Sequence, residues 1–81
     1  MINGLAKRLT EQRLMSNRSI KEVATSVGVT PSTLSNYEHG YRVPSLEKLV
    51  SLAMYYHCTT DYLLGVTQEG QQLLDTGKLS T

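Results

Sequence analysis

Four polar residues, Ser32, Ser35, Asn36 and His39, recur at helical spacing within PSTLSNYEH and would share one side of a helix. Their chemistry suits contact with a nucleic-acid duplex. An asparagine amide can bond the N6 and N7 edge of adenine in two places, serine hydroxyls donate to or accept from most base edges and phosphates, and His39 can reach the backbone. Pro31 adds apolar surface for a thymine methyl. The plainer alternative is an ordinary solvated helix face. Catalytic and metal-binding alternatives fail on spacing. His57 and Cys58 form one adjacent pair, His39 stands apart, and the chain has no nucleophile elbow or glycine-rich phosphate loop. No enzymatic activity, cofactor, metal or small-molecule substrate is expected.

A polar face of this kind needs rigid local support, and the flanking residues supply it. Ser19 followed by Glu22 is a capping box, in which the serine oxygen and the glutamate carboxylate each satisfy an orphan amide of a first helical turn. Ile20, Val23, Ala24 and Val27 then recur at i, i+3, i+4 and i+7, one apolar stripe about two turns long. Gly28 ends it with a left-handed cap. Thr30 is an N-cap for a second helix, Pro31 suits its first position, and Val29 can staple onto Leu34. Leu34 and Tyr37 fall on the inner side of that helix, with Glu38 at the border. Two short helices broken at Gly28, spanning residues 19–39, have the spacing of a helix-turn-helix.

The remaining segments read as scaffold. Ile2, Leu5, Ala6 and Leu9 give a first helix its inner stripe, with Asn17 a left-handed stop. Gly40 closes the 31–39 helix, and Tyr41 to Pro44 form a short extended loop. Ser45 caps a fourth helix whose Leu46, Leu49, Val50, Ala53 and Tyr56 follow core spacing; His57 terminates it and Cys58 fills core. A fifth helix runs from Thr60 or Asp61 to Leu64 and closes at Gly65. The tail from Val66 to Thr81 reads either as frayed terminus or as a short helix over Gln68 to Asp75.

Composition bounds the class. Eighty-one residues make one modest core, and Phe and Trp are absent, so five tyrosines carry the aromatic burial. A single cysteine permits no internal disulfide, and neither a membrane-spanning run nor a leader is visible, so a cytoplasmic setting and no membrane partner are expected. The net charge of +1 hides an uneven distribution. Lys7, Arg8, Arg13, Arg18 and Lys21 stand against Glu11 alone in the first 21 residues, a local excess of +4. Residues 31–38 carry no Lys or Arg. Orphan amides at helix amino ends can bind phosphates in their place, which implies modest affinity per subunit and a shallow salt dependence.

Taken in order, Arg8-Leu9 with Arg13, SIKEVATSVGVTPSTLSNYEHG, Arg42-x-Pro44-Ser45-Leu46 and Thr60-Asp61-Tyr62-Leu63-Leu64-Gly65 resemble the phage repressor and Cro-like, or XRE-type, helix-turn-helix family. The resemblance runs from about Leu5 to Gly65. It implies an all-α, compact five-helix, lambda-repressor-like DNA-binding domain over residues 1–65, followed by the 66–81 tail. It implies that Thr30, Pro31, Ser32, Ser35 and Asn36 face base edges or flanking phosphates, that Arg42 holds a phosphate with Tyr41 beside it, and that Arg13 pairs with Glu38. His39, Arg18 and Lys21 complete the expected DNA-facing set. Three positions depart from the family pattern. Gln12 and Arg18 stand where apolar residues are usual, which shifts part of the core onto Leu14, Met15 or Ile20. Ile20 replaces a glutamine that commonly touches DNA; its period makes it core, with a thymine methyl contact as the alternative. The expected function is a sequence-specific transcriptional regulator, such as a small prophage or mobile-element repressor, binding a near-palindromic double-stranded operator as a homodimer. Tyr62, Leu63, Val66 and Leu73 are the candidate pairing residues. The alternative is a protein-interaction module, an antitoxin or regulatory subunit, on the same fold.

Overall fold

A computed structural model of the chain describes residues 4–66. Five helices follow one another: α1 Leu5–Met15, α2 Ile20–Val27, α3 Pro31–Glu38, α4 Leu46–Tyr55 and α5 Thr60–Leu64. The described residues contain no strand. The starts of α2 to α5 each have a local cause. Ser19 caps α2 with the full reciprocal box, its Oγ accepting from the Glu22 amide and its own amide donating to the Glu22 carboxylate at 2.9 Å. That bond holds the Glu22 carboxyl below the usual carboxylate range, with Arg18 aiding. Thr30, Ser45 and Thr59 cap α3, α4 and α5 through side-chain oxygens, each such cap being worth about 1 kcal/mol. Asn17 (φ 58°) and His57 (φ 58°) reverse the chain after α1 and α4 in the left-handed conformation.

The helices enclose one core. α2 packs on α3 and α4, α1 on α3 and α5, and α4 on α5. Leu9, Leu34, Leu52, Leu63, Val23 and Cys58 are its most deeply buried side chains. Ala24 lets α2 and its neighbours approach closely, and Ile20 and Val29 cover the edge. Ile20 is thus on the core side, as its period implies. Burial pushes the Cys58 thiol up to about 11, which makes it a packing group rather than a nucleophile.

Several expectations about the core need correction. Leu14 and Met15 are 60% and 77% exposed, so neither replaces the missing apolar positions of α1. The α1 stripe of Leu5 and Leu9 instead continues into Arg13, whose guanidinium occupies the next inward position. Gln12 is half-buried, with Nε2 at a long 3.5 Å from the Tyr62 hydroxyl. On α4 the buried set is Leu49, Leu52 and Ala53, followed by Tyr56, while Leu46 (76% exposed) and Val50 (40%) lie outside it. The i, i+3, i+4, i+7 series starting at Leu49 is the one that faces inward. Leu63 is fully buried beneath α1 and α4, which removes it from any intersubunit surface. Ile2, Leu73 and the tail beyond Val66 lie outside the described residues.

Candidate nucleic-acid interface

α3 is short, and its placement depends on both ends being fixed. At the amino end Thr30 Oγ1 accepts from the Thr33 amide at 3.1 Å and donates to the Thr33 hydroxyl at 2.9 Å, with Pro31 at the first helical position. The turn before it is held from across the bundle: Lys48 Nζ donates to the Val27 carbonyl at 3.2 Å. A side chain at Gly28 would both require φ 81° and place its Cβ 3.1 Å from that ammonium. Sequence reasoning did not find Lys48, because its role follows from where α4 crosses α2.

The carboxyl end is tied to α1. Arg13 Nε and Nη2 donate to the two Glu38 carboxylate oxygens at 2.8 and 3.0 Å, a bidentate pair in which Glu38 is 5% exposed. Arg13 Nη1 also donates to the Arg18 carbonyl, linking the α1–α2 turn to the same pair. The Glu38 bond holds the Arg13 guanidinium above its ordinary range. Thr10 Oγ1 donates mainly to Ala6 O and lies 3.4 Å from the Glu38 carbonyl. Gly40 then turns the chain at φ 79°, and the Tyr41 and Arg42 amides close onto the Asn36 carbonyl at 2.9 and 3.3 Å. The following loop is therefore fastened against α3.

These constraints set a polar face outward. Leu34 and Tyr37 are buried; Pro31, Ser32 and His39 are exposed; Ser35 and Asn36 are half-buried at the shoulder. Ser35 and His39, four residues apart, meet through the His39 ring. Tyr41 stacks on that ring with centroids 5.8 Å apart, an arrangement that depends on the Gly40 turn and has no sequence signature. Lys21, Arg18 and Arg42 are exposed. Arg18 lies 3.9 Å from the Glu22 carboxylate, and Arg8 sits over the Tyr62 ring at 5.5 Å. The amino-terminal cations are thus partly engaged within the subunit. Thr30 is committed to capping through both its donor and its acceptor roles.

The helix-turn-helix family profile matches residues 9–63, more than half of the sequence. The chain belongs to the helix-turn-helix family. Among curated members, the transcriptional regulator AnsR of Bacillus subtilis is 42% identical over 74 residues, covering 91% of this chain and 64% of its own length. ImmR of the same organism, also an HTH-type transcriptional regulator, is 43% identical over 62 residues, covering 76% and 49%. This helix-turn-helix chain therefore spans about half to two thirds of the length of those relatives. The P22 c2 repressor, solved in complex with a synthetic operator, superposes with a TM-score of 0.71 at 25% identity, covering 73% of this chain and 89% of that one. The five-helix, lambda-repressor-like architecture is the fold of this helix-turn-helix protein.

Proposed function

We propose that the protein is a sequence-specific DNA-binding transcriptional regulator, such as a small prophage or mobile-element repressor, that inserts α3 into the major groove. The observation that carries this reading is a short helix fixed at both ends, with Leu34 and Tyr37 inward and Pro31, Ser32, Ser35, Asn36 and His39 along its open side. Its similarity to a repressor solved on operator DNA supports the same conclusion. Helix-turn-helix docking places the amino-terminal residues of the recognition helix against base edges, which assigns Pro31, Ser32, Ser35 and Asn36 to bases. Thr30, Arg18, Lys21, His39, Tyr41 and Arg42 then border the phosphates.

A near-palindromic operator calls for two subunits related by a two-fold axis, with recognition helices about 34 Å apart. With Leu63 buried, the pairing surface we assign to a second copy of this chain is the end of α5, at the half-buried Tyr62 and the exposed Val66, an assignment that mass measurement with and without operator would test. A strictly monomeric 1:1 complex on a palindromic duplex would refute it.

The central experiment is selection of bound duplexes from a random pool, followed by fluorescence anisotropy. Asn36→Ala should cost about 1–3 kcal/mol on the selected site and relax preference at one base pair. Arg42→Ala should weaken all sequences alike and lower the salt slope by about one. Unchanged binding in both variants would favour the alternative of a protein-interaction module, to which the absence of Lys and Arg from residues 31–38 points.

A further inference from the structure

His39 follows the last turn of α3 as its C-cap, and its ring is held from two sides. Nδ1 lies 2.8 Å from the Ser35 backbone carbonyl and 3.3 Å from the Ser35 hydroxyl, while the ring stacks on Tyr41 with the planes 16° from parallel. A carbonyl oxygen has no proton to give, so Nδ1 is the protonated nitrogen of the imidazole. The neutral ring in this tautomer presents a lone pair at Nε2. That lone pair repels a phosphate oxygen, whereas the imidazolium offers it a second N–H.

We propose that His39 grips a DNA backbone phosphate through Nε2 and takes up a proton in doing so, with Ser35 and Tyr41 as its positioning residues. The proposal rests on the DNA-binding reading above. Its location favours phosphate over base: His39 lies beyond the end of α3, beside the loop that begins with Tyr41 and Arg42, whereas base edges meet the amino-terminal part of a recognition helix. The carbonyl end of α3 carries partial negative charge and stabilises the cation in the complex. Glu38 is turned inward onto Arg13, the Tyr41 phenol is the stacked partner, and Arg42 stands in the loop that follows. Protonation supplies the only positive side chain on the recognition helix and its cap, since residues 31–38 have none.

The test uses duplexes selected at pH 6 and anisotropy at constant ionic strength from pH 5.5 to 8.5. Affinity should fall as pH rises, toward tenfold per pH unit per subunit, and titration calorimetry in buffers of differing ionisation enthalpy should register proton uptake. His39→Gln should bind with a flat pH profile. Tyr41→Phe preserves the stacked ring and should keep the slope, Tyr41→Ala should lose most of it, and His57→Asn, at the far end of α4, should keep it. A flat profile in the parent protein, or an undiminished slope in His39→Gln, overturns the proposal; an undiminished slope in Tyr41→Ala overturns the positioning role. Failure to bind any duplex at any pH would instead remove the DNA-binding reading itself.

Discussion

Replacing Arg13 by alanine removes one guanidinium and leaves the Glu38 carboxylate, 5% exposed, without its two bonds at 2.8 and 3.0 Å. Arg13 itself is only 17% exposed, so water screens the pair weakly. Breaking such a pair from one side costs about 3 kcal/mol, most of it the desolvation of the stranded charge. The lost bond to the Arg18 carbonyl adds to this. For a domain of this size each kcal/mol moves the midpoint by about 4–8 °C, so melting should fall by about 12–24 °C. Circular dichroism melts of the parent, Arg13→Ala, Glu38→Ala and the double variant would form a complete cycle. The double variant should be less destabilised than the sum of the singles, because no lone carboxylate remains. A replacement of both residues by methionine should recover most of the loss. A melting change under about 2 °C in Arg13→Ala would refute the claim that this pair anchors the end of α3.

Two further perturbations probe other polar groups. Glu22 has its carboxyl held low by the Ser19 amide, so the stabilisation from its ionised form is complete above the ordinary value of 4.5 and is lost as pH falls through the lower folded value. The small melting difference between the parent and Glu22→Gln at pH 7 should therefore vanish in acid; a gap that persists at pH 2 would contradict this. Tyr56 Oη is buried with no hydrogen-bond partner among the described residues, and burial beside Glu38 pushes the phenol well above its ordinary range. Tyr56→Phe should be neutral or stabilising by up to about 1 kcal/mol, since it deletes an unsatisfied polar atom and keeps the ring. A loss of more than 1 kcal/mol in chemical denaturation would show that the hydroxyl makes a bond that matters.

The elements with dense local signals were legible before any packing was known. The Ser19 capping box, the left-handed stop at Gly28, the Thr30-Pro31 helix start and the Gly65 end all depend on interactions within four or five residues, and each is present. The Arg13–Glu38 pair joins residues 25 apart, so the resemblance implies it while the border position of Glu38 is its one local sign. Failures occurred where a helix edge admits two registers. Leu46 and Val50 match helical spacing, yet the arc centred on Leu49, Leu52, Ala53 and Tyr56 is the one that α2 and α5 can reach. Leu14 and Met15 lie off the α1 stripe once Arg13 occupies its inward continuation. The His39–Tyr41 stack and the Lys48 brace depend on a turn and a helix crossing, which no residue pattern encodes.

The fate of the cations decides how DNA affinity should respond to salt. Sequence counting places five positive residues in the first 21, but Arg13 is bound to Glu38, Arg8 lies over Tyr62 and Arg18 is drawn toward Glu22. Lys21, Arg42 and Arg18 are exposed, and if these three are the cations that meet DNA, about three phosphates would be neutralised per subunit. Each neutralised phosphate contributes about 0.9 to the slope of log affinity against log salt, which gives roughly −3 per subunit and −5 to −6 for a pair. A protonated His39 adds one more contact. Because the proton enters with the contact, this increment is present wherever affinity depends on pH, so at pH 8 the slope of the parent should exceed that of His39→Gln by about one per subunit. Equal slopes in the two proteins at pH 8 would show that any pH dependence arises from something other than a phosphate contact.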